Sequence, residues 1–166
     1  MLIRPPTADE TPLMARIESA ARAAAEARWS PPPASQDRPV HQLDPWRVRR
    51  HTASTRVAIV DTRVVGCIAW GPSPVDGLPT AFGPFVDPLH ERTGVGRALL
   101  AVAMRRSRLA GADRMVLWVP AADARARAFA RALGFVIADG HRPLPHSEAG
   151  ELRRLAILPA GLAIGR

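Results

Sequence analysis

The chain has 166 residues, 47% of them hydrophobic, which is enough to fill one core and sets the expectation of a single domain over 1–166. No run approaches the 18 or so uncharged apolar residues of a membrane span, and the opening MLIRPPTADE lacks an apolar signal segment, so the cytoplasm is the expected location. Net charge is +8 and all 23 basic residues are arginine, a surface that attracts phosphates; aromatics total only 5% and do not interleave with the arginines, which argues against nucleic-acid binding by base stacking.

In chain order, LIRPP (2–6) reads as a short strand. Thr7, with Glu10 three residues on, forms a capping box that opens a surface-lying, alanine-rich helix through about Trp29. Prolines at 31, 32, 33, 39 and 45 make 30–46 a long loop, and such loops usually serve a site. TRVAIV (55–60) and RVVGCIAW (63–70) form a hairpin through Asp61-Thr62, of open turn type because neither residue is Gly or Asn. Cys67 lies in that apolar run and reads as a buried, inert thiol; as the lone cysteine it excludes an intrachain disulfide.

TAFGPFVDP (80–88) is the next strand, followed by a glycine turn and a helix over 95–110. Its apolar stripe is Val95, Ala98, Leu99, Val102 and Leu109, with Arg105 and Arg108 outside it. RMVLWV (114–119) is apolar without alternation, as in a strand covered on both faces, so strand, helix and strand make a right-handed parallel crossover. A second helix begins at Asp123, shares one face among Ala126, Phe129, Ala130 and Leu133, and ends at a left-handed cap on Gly134. FVIA (135–138) and ELRRLAIL (151–158) close the fold as an antiparallel pair around a polar loop holding His141 and His146. The fold class is α/β: a mixed sheet of about six to seven strands, an antiparallel meander with a parallel crossover between strands four and five, flanked by helices.

The stretch ERTGVGRALL (91–100) carries the chemistry. A strand that yields to glycines and then a helix leaves backbone N–H groups pointing outward with the helix dipole behind them, a site suited to a pyrophosphate. No Gly-Lys-Ser/Thr follows, as a Walker A loop needs, and the third glycine of a dinucleotide fingerprint is missing.

VDPLHERTGVGRALL (86–100) followed by LWVPAADARARAFARALGF (117–135) resembles the two central motifs of the GNAT superfamily, the acyl-CoA-dependent N-acyltransferases. LIRPPTADE resembles that family's first strand and helix cap, so the resemblance covers nearly the whole chain. It implies acetyl-CoA as co-substrate, an N-acetyltransferase acting on a primary amine of a small molecule or peptide, and a possible homodimer. By position, it implies that the backbone of Arg92, Thr93, Gly94, Val95, Gly96 and Arg97 binds the pyrophosphate. Phe85 and Val86 would pair with the pantetheine arm, the Val86 N–H polarising the thioester carbonyl. Asp123 stands at the motif's usual asparagine, where the role is an N-cap or a cofactor contact, and Arg127 and Arg131 are within one helix face of the phosphates. Trp118 would wall the acceptor site or fill the core.

The chain departs from the pattern in three places. Glu91 holds the family's Arg/Gln position, putting a carboxylate near a pyrophosphate, with Arg92 and Arg97 to supply the missing charge. Ala130 stands where a tyrosine often protonates the thiolate, and the protein has no tyrosine. The strand LPTAFGPFV carries no carboxylate to act as base. The remaining acids and bases are water, His141, His146 and Ser147. A CoA thiol with a pKa near 8.5 leaves without a strong acid, but an alkylamine of pKa near 10.4 is neutral in only about one molecule in 2500 at pH 7, which favours an acceptor of low pKa. Arg47, Arg49 and Arg50 beside His51 would suit an anionic acceptor, or are a solvated run. The five histidines show no metal-ligand spacing, so no metal is expected. The alternative function is a degenerate module that binds acyl-CoA without turnover.

Overall fold

The computed structural model describes residues 1–28, 54–73, 76–143 and 151–157, with the backbone alone for 137–143 and 151–157. The proline loop, Arg47, Arg49, Arg50, His51, His146 and Ser147 lie outside the described residues, whereas the first helix, expected to run through about Trp29, stops at Glu26 with its cap at Ala27.

Strand β1 (Leu2–Arg4) leads through a 3-10 turn at Ala8–Glu10 into α1 (Thr11–Glu26). Glu10 ties this corner together. Its carboxylate takes both ends of the Arg4 fork at 2.7 and 2.8 Å and also accepts from the Thr7 N–H at 2.8 Å. The Arg4 hydrogen bond, chiefly, holds the Glu10 carboxyl at about 2, well below its ordinary value.

β2 (Ser54–Val60) and β3 (Arg63–Pro72) make the expected hairpin. Asp61 and Thr62 both have positive φ, 46° and 67°, which identifies the turn as the type I′ that matches strand twist. Aspartate tolerates this region, but a β-branched threonine is strained there. β4 (Pro79–Val86), α2 (Val95–Leu109), β5 (Met115–Pro120), α3 (Ala124–Arg131), β6 (Val136–Pro143) and β7 (Glu151–Ile157) complete the fold.

The strands form one sheet in the order β1-β2-β3-β4-β5-β7-β6. Every neighbouring pair is antiparallel except β4 and β5, whose parallel crossover runs through α2. α2 and α3 cover one face and α1 the other. The alternation of β3 shows the two layers. Ile68 and Trp70 join Leu99, Leu100 and Ala130 on one side, whereas Cys67 and Ala69 join Met14, Ala15 and Ile17 on the other. Side chains as fully enclosed as Leu99 and Leu100 each contribute about 2 kcal/mol of burial, so α2 is the main weight on the sheet.

Two expectations are corrected. Leu109 is 72% exposed and is not part of the α2 stripe; Leu100, Ala103 and Met104 are, because the face turned to the sheet is centred on the Leu99–Ala103 side of the helix and Leu109 falls outside that arc. α1 is also not simply surface-lying. It buries Met14, Ala15, Ile17 and the carboxylate-bearing Glu18, which has alanine and charge around it in sequence but packs toward β3 and β4.

Candidate active site

The site begins with a defect in β4. Cys67 faces Phe85 and Ala69 faces Phe82, so Gly83 and Pro84 are two residues set against one, a bulge. Gly83 has a φ of 98°, and a Cβ there would lie 2.9 Å from the Phe85 nitrogen, so only glycine fits. The bulge bends β4 away from β5. Among the described residues the two strands pair in register only at Thr80/Val116 and Ala81/Leu117, and beyond that point β5 pairs through Pro120 with β7 on its other edge.

The opened edge presents backbone donors. The Asp87 N–H donates to the Val65 carbonyl at 2.8 Å, toward β3. Alternation along a strand then turns the N–H and C=O of Val86 the opposite way, toward β5 and the opening. The Phe85 side chain lies in the α1 layer and Val86 in the α2 layer, so the pair sits astride the strand at the mouth of the opening.

Immediately beyond, the Leu89 N–H donates to Asp87 Oδ1 and closes a 3-10 turn over Pro88–His90. The chain then curls through positive φ at Arg92 (64°) and Gly94 (91°) into α2. The Ala98 N–H to the Gly94 carbonyl is the first rung of that helix, so the N–H groups of Val95, Gly96 and Arg97 have no intrahelical acceptor. A Cβ built on Gly96 would stand 3.5 Å from Val86 Cγ2, 3.6 Å from Pro84 Cγ and 3.7 Å from Phe129 Cζ. Its absence leaves a hollow where the loop, the bulged strand and α3 meet. Arg92, Thr93 and Arg97 are exposed around it, with the Thr93 hydroxyl donating to the His90 carbonyl at 2.7 Å. Outward N–H groups, a hollow at glycine and arginines at the rim fit a phosphate-bearing cofactor.

A family model for the GNAT acetyltransferases matches residues 20–135. The chain belongs to this family. Among curated proteins none matches the sequence. Solved structures share the fold at low identity. The ribosomal-protein-alanine N-acetyltransferase of Brucella melitensis is 20% identical with a TM-score of 0.72, over 95% of this chain and 99% of that one. The yncA protein of Salmonella typhimurium, solved with its cofactor acetyl-CoA, is also 20% identical with a TM-score of 0.72, over 96% and 94%. The paia N-acetyltransferase of Thermoplasma acidophilum, solved with coenzyme A, is 12% identical with a TM-score of 0.68, over 95% and 98%.

Against this GNAT frame the remaining expected residues fall as follows. Asp123 caps α3, its Oδ1 accepting from the Ala126 N–H at 2.9 Å, and it is buried. Arg127 folds back to hydrogen-bond the Ala121 carbonyl, so its guanidinium supports the β5–α3 turn. The helix stop is as expected: Gly134 has a φ of 89°, and the Phe135 N–H returns to the Ala130 carbonyl. Ala130 is fully buried in the core, so this position offers no proton donor. His141 is not in a loop. Its backbone stands in β6 opposite Arg153, because the strand continues through Pro143. Trp118 is half-buried near the end of β5, on the face opposite Leu117 and Val119. Among the described residues there is no cluster of three or more metal-ligating side chains, and no helix is long and apolar enough to cross a membrane.

Two features escaped the sequence. Glu18 is only 4% exposed and pairs with Arg22 at 2.9 Å, and the Arg22 guanidinium lies 5.6 and 5.0 Å from the Phe82 and Phe85 ring centres. A carboxylate therefore lies on the α1 side of the bulge although β4 itself has none. An i,i+4 Glu–Arg pair in an alanine-rich helix looks like ordinary surface decoration, so no local signal marks it. Cys67 is fully buried beneath α1, and burial, reinforced by Glu18, pushes its thiol well up, as suits an inert side chain. The other feature is the set of partners of Glu91, a residue that the sequence marked but whose contacts it did not show. Glu91 is held by Arg28 from the end of α1 at 3.3 Å and by Arg125 of α3 at 3.2 Å.

Proposed function

We propose that this protein is an acetyl-CoA-dependent N-acetyltransferase, a single cytoplasmic domain that transfers acetyl to a primary amine by direct attack. The observation that carries the reading is the parting of β4 from β5 beside the glycine loop, which turns the Val86 N–H and C=O into an unclosed strand edge. On this reading the N–H groups of Arg92–Arg97 hold the diphosphate, and the backbone of Val86 holds the pantetheine arm as an added strand would be held, whereas the Phe85 backbone is turned toward β3 and leaves only its side chain near the mouth. Acetyl-CoA supplies an activated thioester. The Val86 N–H donates to the thioester oxygen, where charge develops during attack. The protein's main contribution is then proximity and this one polarising donor.

Support also comes from the family and from the two relatives whose structures hold acetyl-CoA or coenzyme A. The ribosomal-protein-alanine N-acetyltransferases among the neighbours make a peptide amine one acceptor class to test beside small amines. With Ala130 sealed in the core, the departing thiolate takes its proton from water or from His141, His146 or Ser147. A low-pKa acceptor (an arylamine, a hydrazine or an α-amine) then needs least help from a base. A second reading, a module that binds acyl-CoA without turnover, is favoured by that same absence of a proton donor.

One screen separates the two. Acetyl-CoA is supplied with amino acids, polyamines, arylamines, aminoglycosides and peptides, and free thiol is followed with time. Acceptor-dependent release, fastest for amines of low pKa, is the expected result. A rise in melting temperature with acetyl-CoA but no thiol release for any acceptor would leave the binding module. Equal rates for strongly basic alkylamines would remove the low-pKa assignment.

A further inference from the structure

Glu91 is the residue least expected beside a polyanionic cofactor, and the structure gives it company rather than solvent. Oε1 faces Arg28 Nη1 at 3.3 Å, and Oε2 faces Arg125 Nη2 at 3.2 Å. The two guanidiniums come from the end of α1 and the first turn of α3, segments that meet across the loop starting at Arg92. One carboxylate against two guanidiniums leaves a net positive charge. Each arginine spends one nitrogen on Glu91, and the rest of its five-donor fork is not committed to that carboxylate.

The helix termini point the same way. Beyond its cap, neither α2 nor α3 has an acidic residue in its first turn, and each carries arginine there, Arg97 and Arg125. A cation at a helix N-terminus opposes the macrodipole and weakens the helix. Arginines at two such termini make sense when an anion sits between them. The start of α3 is brought near the start of α2 by Glu91, which lies just before α2 and whose Oε2 is 3.2 Å from Arg125 in the first turn of α3.

We propose that Glu91 is a positioning residue: it clasps Arg28 and Arg125 at the edge of the 92–97 loop so that their remaining donors meet the diphosphate of a CoA-type ligand. This rests on the cofactor reading above. It makes a prediction opposite in sign to simple charge counting. Removing a carboxylate near a polyanion should tighten binding by Coulomb attraction; removing a clasp should weaken it, because two long side chains must then be ordered at the moment of binding.

The test is calorimetric titration of CoA and of 3′-dephospho-CoA into wild type, Glu91→Gln, Arg125→Ala and the double variant, with melting temperatures of the ligand-free proteins. Glu91→Gln should weaken CoA about tenfold and Arg125→Ala by a similar factor. If Glu91 acts through Arg125, the double variant should lose about as much as one single variant, far short of the product of both. The factor for Glu91→Gln should be the same with 3′-dephospho-CoA, which keeps the diphosphate. Ligand-free melting temperatures should change by no more than about 2 °C, as for a surface ion pair. Unchanged or tighter binding by Glu91→Gln, multiplicative losses in the double variant, or a penalty that vanishes with 3′-dephospho-CoA would each overturn the clasp. A wild type that binds neither ligand would instead overturn the cofactor reading on which it rests.

Discussion

The molecule uses arginine and glutamate at two corners in different ways. At the β1–α1 corner, Glu10 is closed. Both oxygens are filled by the Arg4 fork at 2.7 and 2.8 Å and by the Thr7 N–H, all within one short stretch of chain. At the loop corner, Glu91 is open. Its contacts are longer, each arginine gives one nitrogen, and the three residues come from distant parts of the sequence. A planar guanidinium matched to one carboxylate completes itself and secures the fold. One carboxylate shared between two guanidiniums leaves donors uncommitted, which is the arrangement expected where a ligand is to be received. The same pairing chemistry does not give the same role; the count of uncommitted donors distinguishes them.

The contrast can be broken most strongly at Gly96, which forms the hollow on the open side. Alanine there meets its neighbours at ordinary contact distance, so the fold should accept it and the start of α2 should gain about 0.5–1 kcal/mol of helix preference. The methyl group would occupy the space proposed for the diphosphate, and CoA affinity should fall about 100-fold or more, roughly 3 kcal/mol. Titration calorimetry beside a melting curve checks both halves. A variant that binds CoA normally would detach the hollow from the cofactor.

The closed corner should respond in the other observable. Glu10→Gln should cost about 1 kcal/mol of stability and leave CoA affinity unchanged, as suits a partly exposed pair discounted for solvent. The effect has a pH signature. The folded-state carboxyl sits at about 2 against an ordinary 4.5, so folding disfavours its proton. Its stabilisation is complete above about pH 4.5 and is lost as pH falls toward 2. Denaturant midpoints measured across that window should slope in wild type and be flatter in Glu10→Gln. Equal slopes would show that the Arg4 pair is not what protects this corner.

A third, smaller change lies away from both corners. Thr62→Gly should relieve the left-handed strain in the β2–β3 turn and raise stability by up to about 1 kcal/mol, partly offset by the unfolded-state entropy of glycine. No change in ligand affinity should accompany it, so it serves as a control for stability effects on binding. Destabilisation by this variant would mean that the Thr62 hydroxyl contact to the Asp61 carbonyl outweighs the strain.

Much of this was legible in the residues because the signals are local. The glycine loop, the α3 face, the Gly134 stop, the Asp123 cap and the crossover each follow from spacing over a few positions. The order β5-β7-β6 and the strand continuation that puts His141 opposite Arg153 were not legible, because register between strands depends on partners far away in sequence. Glu18 looked like surface decoration for the same reason: the ring faces of Phe82 and Phe85 that cover its partner Arg22 come from another element.

By itself, then, the sequence determined that a strand turns through Gly94 and Gly96 into a helix whose first N–H groups lack intrahelical acceptors, the geometry that suits a phosphate, since glycine conformations and unpaired N–H groups are properties of adjacent residues. Only the tertiary structure decided what becomes of Glu91. A carboxylate in the wrong place by local rules becomes a clasp because α1 and α3 bring Arg28 and Arg125 to it, and charges interact through space, whatever their separation along the chain.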